Sequence, residues 1–236
     1  MKSIILAGGR GTRLQPYSLV VPKPLIPVGD MPVIELIIKR LRKFGMDEFI
    51  VTTGYLGDLI KAVCGDGSRW GVHIEYSDEP EPLGTIGPLN LIRDQLTESF
   101  IVVNGDTITD IDIHQLVKFH REHKALATIA ATRRSEQIEL GVLQVNQEDG
   151  LTGFQEKPCH EYIASMGLYV FEPDVLEFIP ERGTFGFDDL VHAFIAAEAP
   201  VFVYSHSGYW LDIGILSDLQ RAQDEYELIR HKVTGD

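Results

Sequence analysis

The sequence predicts an α/β fold built on a parallel, doubly wound sheet, and two observations carry this prediction. Short β-rich runs alternate with amphipathic segments through the first hundred or so residues. Two of these runs, at 3–7 and 100–103, are almost continuously apolar, as is typical of central parallel strands buried on both faces. Strands that alternate with helical patterns indicate βαβ units and therefore a parallel sheet.

The N-terminal half carries this alternation in order. Strands are predicted over 3–7, 48–53, 72–76 and 100–103, and helices between them over 32–44, 56–63 and 86–96. The first helix has the clearest boundaries, because a proline stands near its start, apolar residues repeat along it and Gly45 follows its end.

The pattern changes after Asp106. Helices are predicted over 113–123, 173–178, 188–197 and 217–231, and strands over 127–132, 141–145, 152–155, 164–171 and 201–204. The Gln-Glu-Asp-Gly stretch at 147–150 is a hairpin turn signal, and residues 232–236 are expected to fray. No repeat or linker divides the chain, so residues 1–236 are predicted to form a single domain with a second lobe on a shared sheet.

Composition limits the function classes. The 236 residues are 44% hydrophobic and 24% charged, with a formal net charge of −14, which argues against sequence-independent nucleic-acid binding and against attraction to anionic membranes. No signal-peptide pattern and no membrane-spanning apolar run is evident. Cys64 and Cys159 lie far apart without metal-ligand spacing and are expected to be reduced. These features predict a cytoplasmic, enzyme-like domain.

A glycine-rich loop follows the first strand. Residues 8–14 read Gly-Gly-Arg-Gly-Thr-Arg-Leu, and a second cation, Lys23, follows Arg13 within reach. Glycines let backbone amides approach a phosphate, and the cations neutralise it. The loop is not a dinucleotide fingerprint, since Leu14 replaces the last glycine, and it lacks the Gly-Lys-Ser/Thr of a P-loop. The alternative is a tight strand-to-helix turn, but the added cations favour a polyphosphate site.

An aspartate follows the last strand of the N-terminal half. Asp106 ends the segment Val-Val-Asn-Gly-Asp at the carboxyl edge of the predicted sheet, where open α/β folds bind ligands. Mg²⁺ takes one or two such carboxylates together with substrate phosphates. The alternative is a helix cap, but Asp110 and Asp112 stand closer to the next helix. Asp212, in the apolar segment 208–214, offers a second carboxylate.

Two further segments have both a functional and a structural interpretation. Glu156 and Lys157 place an acid beside a base at a strand end, which is either a substrate contact or a solvated strand end. The turn Leu83-Gly84-Thr85 opens a helix, so its amides can hold an anion or a nucleobase edge, or Thr85 caps the helix. The chain has no HExxH segment and no nucleophile–His–Asp pattern, which argues against zinc hydrolysis and acyl transfer.

Together these segments resemble the sugar-1-phosphate nucleotidyltransferases, the NDP-sugar pyrophosphorylase family. The resemblance rests on GGRGTRL at 8–14, PKP at 22–24, PLGT at 82–85, NGD at 104–106, GVL at 141–143, EKP at 156–158, SMGLYVF at 165–171 and YWLDIG at 209–214. It implies a Rossmann-like mixed, mostly parallel sheet flanked by helices, with an inserted sugar-binding lobe and no C-terminal β-helix domain. Residues 1–110 would form the nucleotide-binding half and residues 111–225 the sugar-phosphate-binding half.

The resemblance also implies a reaction and its residues. A nucleotidyl group passes from an NTP to a sugar 1-phosphate, giving an NDP-sugar and pyrophosphate. Catalysis is assigned to Arg13, Lys23, Asp106, Lys157 and Asp212, with Mg²⁺ on Asp106 and Asp212. The implied nucleotide-binding residues are Leu6, Ala7, Gly8, Gly9, Gly11, Thr12, Arg13, Lys23, Pro82, Leu83, Gly84 and Thr85. The implied sugar-phosphate-binding residues are Asn104, Gly141, Glu156, Lys157 and Met166.

The choice of substrates is less determined. The resemblance favours a guanylyltransferase acting on a mannose- or heptose-type phosphate, for precursors of cell-surface polysaccharide or glycoconjugate. A uridylyl- or thymidylyltransferase acting on a glucose-type phosphate is the alternative. A GT-A-like glycosyltransferase is disfavoured by the GGRGTR and EKP segments, and a silent NDP-sugar-binding regulatory subunit by the presence of Arg13, Lys23, Asp106 and Lys157. No nucleic-acid or membrane partner is expected, and a homodimer is compatible with the resemblance.

Overall fold

A computed structural model describes residues 1–234. Its strands are β1 (Ser3–Ala7), β2 (Pro27–Val28), β3 (Met31–Pro32), β4 (Glu48–Thr53), β5 (His73–Asp78), β6 (Phe100–Asn104), β7 (Thr107–Thr109), β8 (Ala127–Gln137), β9 (Gly141–Val145), β10 (Leu151–Glu156), β11 (Cys159–Phe171), β12 (Val201–His206) and β13 (Trp210–Asp212). Its α-helices are α1 (Val33–Lys43), α2 (Gly57–Cys64), α3 (Ile113–Glu122), α4 (Phe187–Ala196) and α5 (Leu216–Thr234).

A seven-stranded sheet forms the centre of the molecule, in the order β12-β8-β11-β6-β1-β4-β5. Neighbouring strands are parallel except at β11, which runs antiparallel to both β6 and β8. The predicted mixed, mostly parallel sheet flanked by helices is therefore confirmed, and so is the parallel arrangement of the strands in the N-terminal half.

Both faces of the sheet are covered, which explains why its central strands are almost wholly apolar. Successive side chains of a strand point to opposite faces. Ile4 and Ile50 therefore pack with α4 and the Gly87–Gln95 segment, while Ile5 and Val51 pack with α1, α3 and α5. All four side chains are at most 2% exposed.

The carboxyl ends of the parallel strands meet at one edge of the sheet and place the functional segments there. Leu6 pairs with Thr52 on one side and with Asn104 on the other. The glycine-rich loop follows β1, and Asp106 follows β6 across a short turn. Loops at this edge are where open α/β folds bind ligands.

The second half of the chain adds a projecting lobe. The paired strands β8 and β11 continue past the sheet edge, and β9 and β10 form a hairpin connected to them. The predicted turn of this hairpin is confirmed: Asn146 Oδ1 accepts the amides of Glu148 and Gly150 at 3.0 and 2.8 Å, and Asp149 has a φ of +60°.

Several element predictions were wrong in type or extent. The segments predicted as helices over 86–96 and 173–178 are 3-10 helices, Gly87–Gln95 and Pro173–Phe178. A proline stands in the first turn of each, and the amides of Ile86 and Gly87 donate to the carbonyl of Phe185 instead of entering a helical ladder.

The ends of other elements also differ from the sequence prediction. Strand β8 extends to Gln137 and β11 begins at Cys159, because these strands continue to pair outside the core, where hydrophobic periodicity gives no signal. Helix α5 continues to Thr234, so residues 232–234 are helical where fraying was expected. Residues 235 and 236, included in that expectation, lie outside the described part of the chain.

The two cysteines are free thiols, Cys64 buried and Cys159 exposed. Burial raises the pKa of the Cys64 thiol to about 11, so this residue behaves as a small core side chain. Within residues 1–234, no helix is both long enough and apolar enough to cross a bilayer.

Candidate active site

A cleft of about 610 Å³ opens at the carboxyl edge of the sheet. All of the nucleotide-binding residues implied by the sequence except Leu83 line this cleft, and Asn104 and Asp106 line it as well. The sequence segments that carry phosphate-like chemistry therefore come together in one concave site, which is the usual form of a small-molecule site.

The glycine-rich loop forms one wall of the cleft. Gly11 is left-handed, with a φ of +58°, and its carbonyl accepts the amide of Leu14 at 2.9 Å. A Cβ at Gly11 would lie 3.3 Å from the Cβ of Lys23, so the loop runs directly beside this lysine. At Gly8, a Cβ would lie 1.8 Å from Glu79 Oε1, so the Glu79 carboxylate reaches this part of the loop. Gly11 is required by its left-handed conformation, and Gly8 lets the Glu79 side chain approach the loop.

Two short strands bring the two predicted metal carboxylates together. Strands β7 and β13 pair antiparallel, with Asp212 opposite Thr107, and the amide of Ile213 donates to the Asp106 carbonyl at 3.1 Å. Lys23 Nζ donates to Asp106 Oδ2 and lies 3.6 Å from Asp212 Oδ1. One cation therefore bridges two acids that are more than a hundred residues apart in the sequence.

Burial and charge act together on this pair. Burial raises the pKa of Asp212, and the negative charge of Asp106 raises it further, whereas Lys23 and Arg13 act in the opposite direction. Two adjacent carboxylates resist ionising together unless a cation lies between them. The site is therefore built to hold positive charge at this point.

The donor set fits a magnesium ion. Asp106 Oδ1 and Asp212 Oδ1 are buried without a hydrogen-bond partner, and Asp212 Oδ1 faces the Lys23 ammonium at 3.6 Å, so each aspartate has an oxygen that can accept a ligand. Among residues 1–234, no group of three or more His, Cys, Asp or Glu side chains is placed to hold a metal. Two carboxylates without further protein ligands suit Mg²⁺, which completes its shell with water and substrate phosphates.

Asp106 does not cap the following helix, which was the alternative to a metal-binding role. The helix that follows is capped by Asp112, whose Oδ1 accepts the amide of Gln115 at 3.0 Å, as the closer spacing of Asp112 predicted. The Thr85 cap is not observed either, because Ile86 occupies the N-cap position of the following 3-10 segment without a side-chain bond. Thr85 lines the cleft instead.

The cleft lining also holds a carboxylate, that of Glu79, which sequence reasoning missed. Glu79 is half-buried, and its Oε2 accepts the amide of Leu83 at 3.3 Å. Burial raises the pKa of this carboxyl, and the Leu83 amide partly offsets the effect. Arg10 and Tyr55 also line the cleft and were not assigned. Arg10 could have been found from the sequence, since it is a second cation in the same loop, beside Arg13.

The residues implied for the sugar phosphate lie outside this cleft lining, except Asn104, whose Oδ1 is buried without a partner. Gly141 stands opposite Glu156 in the β9–β10 hairpin. Lys157 follows with a φ of +44°, and its Nζ is 2.9 Å from Glu139 Oε2.

Met166 has a different position from these residues. Its side chain is fully buried in the core, and its carbonyl accepts Thr107 Oγ1 at 3.2 Å and Trp210 Nε1 at 2.9 Å. Thr107 and Trp210 belong to β7 and β13, the strands next to the two aspartates. Met166 therefore supports the carboxylate pair through its backbone.

Comparison with known proteins gives a consistent result. The nucleotidyl transferase family profile matches residues 2–228. Mannose-1-phosphate guanyltransferase beta-B of Xenopus laevis is 36% identical over 98% of this chain and 66% of its own length. UTP–glucose-1-phosphate uridylyltransferase of Synechocystis is 33% identical over 94% and 62%. Mannose-1-phosphate guanylyltransferase of Mycobacterium tuberculosis is 32% identical over 93% and 62%. The chain thus spans 62–66% of the length of these relatives.

Solved structures share the fold over nearly the whole chain. A Bacillus anthracis protein described as a candidate glucose-1-phosphate thymidylyltransferase superposes with a TM-score of 0.76 at 27% identity, covering 95% of this chain and 94% of that one. HddC from Yersinia pseudotuberculosis, in complex with GMP-PN, gives 0.75 at 24% identity, covering 95% and 99%, and this likeness concerns the fold alone. With the family profile matched from residue 2 to residue 228, the chain belongs to the nucleotidyl transferase family.

Proposed function

We propose that this chain transfers a nucleotidyl group from a nucleoside triphosphate to a sugar 1-phosphate, giving an NDP-sugar and pyrophosphate. The observation that carries the proposal is the meeting of the glycine-rich loop, Lys23 and the Asp106–Asp212 pair at one sheet edge. Backbone amides and cations bind phosphates, and paired carboxylates bind Mg²⁺. Family membership and the names of the relatives support the same reaction class.

The cofactor of the proposed reaction is Mg²⁺. When bound, it would be held by Asp106 and Asp212 and would neutralise negative charge on the phosphate oxygens at the reacting α-phosphorus. Arg13 and Lys23 supply fixed positive charge on the same side of the cleft, and the loop amides between Gly8 and Gly11 orient the triphosphate.

The proposed chemical step needs no general base. A sugar phosphate has a second pKa of about 6, so its attacking oxygen is largely deprotonated at neutral pH. This oxygen forms a bond to the α-phosphorus while the bond from that phosphorus to the bridging oxygen breaks, and pyrophosphate leaves with the electron pair. The protein's task is to position two anions and stabilise the charge, which agrees with the absence of a histidine from the cleft lining among the described residues.

For the sugar side we propose Lys157 as the phosphate contact and Glu156 as the contact to a sugar hydroxyl, with Gly141 beside it. Asn104, whose Oδ1 is buried and free, would contact the same substrate. Met166 would contribute through its backbone support of the aspartate strands. In this division, residues 1–110 bind the nucleotide and residues 111–225 bind the sugar phosphate and supply Asp212.

For the nucleotide we propose GTP, with a mannose- or heptose-type 1-phosphate as acceptor. Two of the relatives described above are named as guanylyltransferases. Glu79 supports the choice of base. Guanine offers two adjacent donors, N1–H and the N2 amino group, to a carboxylate that accepts through both oxygens. Uracil and thymine offer one N–H between two carbonyl oxygens, which a carboxylate repels.

The test is pyrophosphate release with Mg²⁺ over a panel of the four common NTPs and dTTP against mannose, heptose and glucose 1-phosphates. We expect release with GTP and a mannose- or heptose-type phosphate. Release only with UTP or dTTP and glucose 1-phosphate would overturn the guanine assignment. Tight NDP-sugar binding without release from any pairing would support a silent regulatory subunit.

The proposed recognition of guanine by Glu79 is tested with a substitution at that residue. Glu79→Gln should lower kcat/KM for GTP about tenfold, since the amide repels one guanine donor through its own N–H group. Glu81→Gln is the matched control, because Glu81 lines the same cleft but is exposed. Equal losses in the two variants would contradict the role of Glu79.

The proposed substrates are soluble metabolites, and their supply fits a cytoplasmic location. We assign no nucleic-acid or membrane partner, in keeping with the net charge of −14. A homodimer is tested by light scattering of the full chain.

A further inference from the structure

Three cations line the cleft, and two of them already face carboxylates. Lys23 is bonded to Asp106, and Arg13 lies near Asp212, since a Cβ at Gly214 would be 3.5 Å from Arg13 Nη2 and 3.6 Å from Asp212 Oδ2. Arg10 is the third, and no ion pair joins it to any carboxylate among residues 1–234. Its charge is therefore available to a ligand.

Arg10 also has an aromatic neighbour that favours one position of its side chain. Its guanidinium carbon lies 5.8 Å from the centroid of the Tyr55 ring, within the range of a cation–π contact. Tyr55 is fixed at both ends, since its amide donates to the Gly8 carbonyl at 3.3 Å and its hydroxyl donates to the Leu19 carbonyl at 3.0 Å. A long side chain loses less entropy on binding when it is partly ordered beforehand.

We propose that Arg10 binds the β- and γ-phosphates of the nucleoside triphosphate and so holds the pyrophosphate that leaves. This inference rests on the proposed function. The α-phosphate must lie beside the Asp106–Asp212 pair, where the metal would bind. The remaining phosphates then lie along the loop from Gly8 to Gly11, and Arg10 projects from that loop.

Charge balance in the cleft supports the assignment. Arg10, Arg13 and Lys23 are opposed by three lining carboxylates, those of Glu79, Glu81 and Asp106. Without Arg10 the lining would carry more negative than positive charge, in a molecule whose formal net charge is −14. A guanidinium suits this task, because its fork of donors matches the oxygens of a phosphate in pairs.

The first test measures binding, so it does not depend on turnover. Dissociation constants for GTP, GMP and inorganic pyrophosphate are measured with Mg²⁺ by calorimetry. Arg10→Ala should weaken GTP and pyrophosphate about tenfold and leave GMP within about twofold, since GMP has only the α-phosphate. Arg10→Lys should recover part of the loss, because it keeps the charge but not the fork.

A matched control comes from a second arginine–aromatic pair. Arg69 lies 3.9 Å from the Trp70 ring centroid, outside the cleft lining, so Arg69→Ala should change none of the three constants. Tyr55→Phe keeps the ring under Arg10 and should bind pyrophosphate more tightly than Tyr55→Leu, which removes it.

The outcomes separate this inference from the proposed function. If Arg10→Ala weakens GTP and GMP equally, or weakens neither, the assignment of Arg10 is overturned whether or not the wild type turns over. If the wild type binds pyrophosphate and loses it in Arg10→Ala but releases none from any substrate pair, the proposed reaction fails and the Arg10 site stands. A wild type that binds neither GTP nor pyrophosphate overturns both.

Discussion

At the scale of single residues, Lys23 allows two carboxylates, those of Asp106 and Asp212, to lie close together in a partly buried site. It bonds to Asp106 and lies 3.6 Å from Asp212, so its charge opposes the burial and the repulsion by Asp106 that together raise the Asp212 pKa. The same contacts leave one oxygen of each aspartate without a hydrogen bond. Lys23 therefore compensates the negative charge of the carboxylate pair, while each aspartate keeps an oxygen that a metal could bind.

Asp106→Asn should lower kcat for pyrophosphate release by at least about a hundredfold, because it removes a charged metal ligand worth a few kcal/mol in the transition state. The fold should survive, since asparagine keeps the shape and one acceptor for Lys23. The measurement is initial rate at saturating Mg²⁺, with the circular dichroism spectrum as the check on folding. Asp112→Asn is the control, because Asp112 caps α3 and lies outside the cleft lining. A near-normal rate for Asp106→Asn would refute the metal assignment.

Lys157→Ala should raise KM for the sugar 1-phosphate about tenfold and leave KM for the NTP unchanged, since one charge-assisted phosphate contact is lost. Substrate titration at fixed saturating NTP measures the effect. Glu139→Gln removes the 2.9 Å partner of Lys157 but not its charge, so it separates loss of the ion pair from loss of the phosphate contact. Equal changes in both variants would mean that Lys157 serves only the pair with Glu139.

At the scale of elements, the sequence predicted the strands that are long enough to show a hydrophobic or β-rich pattern, and it did not predict the strands of three residues. Strands β1, β4 and β9 have the predicted boundaries, because each is a run of five or six residues with a β-rich composition. Strands β7 and β13 were missed, since three residues cannot show a period. Those two strands bring Asp106 and Asp212 together, so the sequence indicated the two aspartates as a predicted metal pair but not how they meet.

An irregularity in strand β11 supports the arrangement of β7 and β13. Its register shifts between Ser165 and Tyr169, and Gly167 there is left-handed, with a φ of +69°. The shift aims the Met166 carbonyl at the side chains of Thr107 and Trp210. The resemblance assigns Met166 to the sugar phosphate, and its backbone support of β7 and β13 has no sequence motif that could have indicated it.

An alanine in the left-handed backbone region costs about 1–2 kcal/mol. Gly167→Ala should reduce the free energy of unfolding by more than this amount. The added Cβ would lie 2.5 Å from Asn104 Nδ2 and 3.1 Å from Thr107 Oγ1, so these side chains would have to move. Gly45→Ala is the control, since Gly45 has a φ of +78° and nothing within 4 Å of a Cβ. Chemical denaturation measures both. Equal losses would show that the contacts around Gly167 can relax freely.

At the scale of the whole molecule, the two halves are joined through the C-terminal helix as well as through the sheet. Helix α5 packs on α1 and on the β2–β3 turn, where Tyr226 donates to Asp30 and Gln223 accepts the Gly29 amide. It follows directly after the strand that ends in Asp212. A contact that holds α5 in place therefore also helps to hold Asp212. Arg40 makes such a contact, with the Lys232 carbonyl near the end of α5.

Arg40→Met should lower the free energy of unfolding by about 3 kcal/mol, because it leaves one buried and two partly buried carbonyl groups without donors. The Arg40 side chain donates to the carbonyl oxygens of Asp110, Ile111 and Lys232, which belong to the segment before α3 and to the end of α5. Chemical denaturation measures the loss, and hydrogen exchange should increase first in the last turns of α5. Arg221→Met should cost less than about 1 kcal/mol, since its 2.8 Å pair with Glu225 lies on the helix surface. Similar losses in the two variants would mean that the Arg40 carbonyl contacts do not hold α5 to the core.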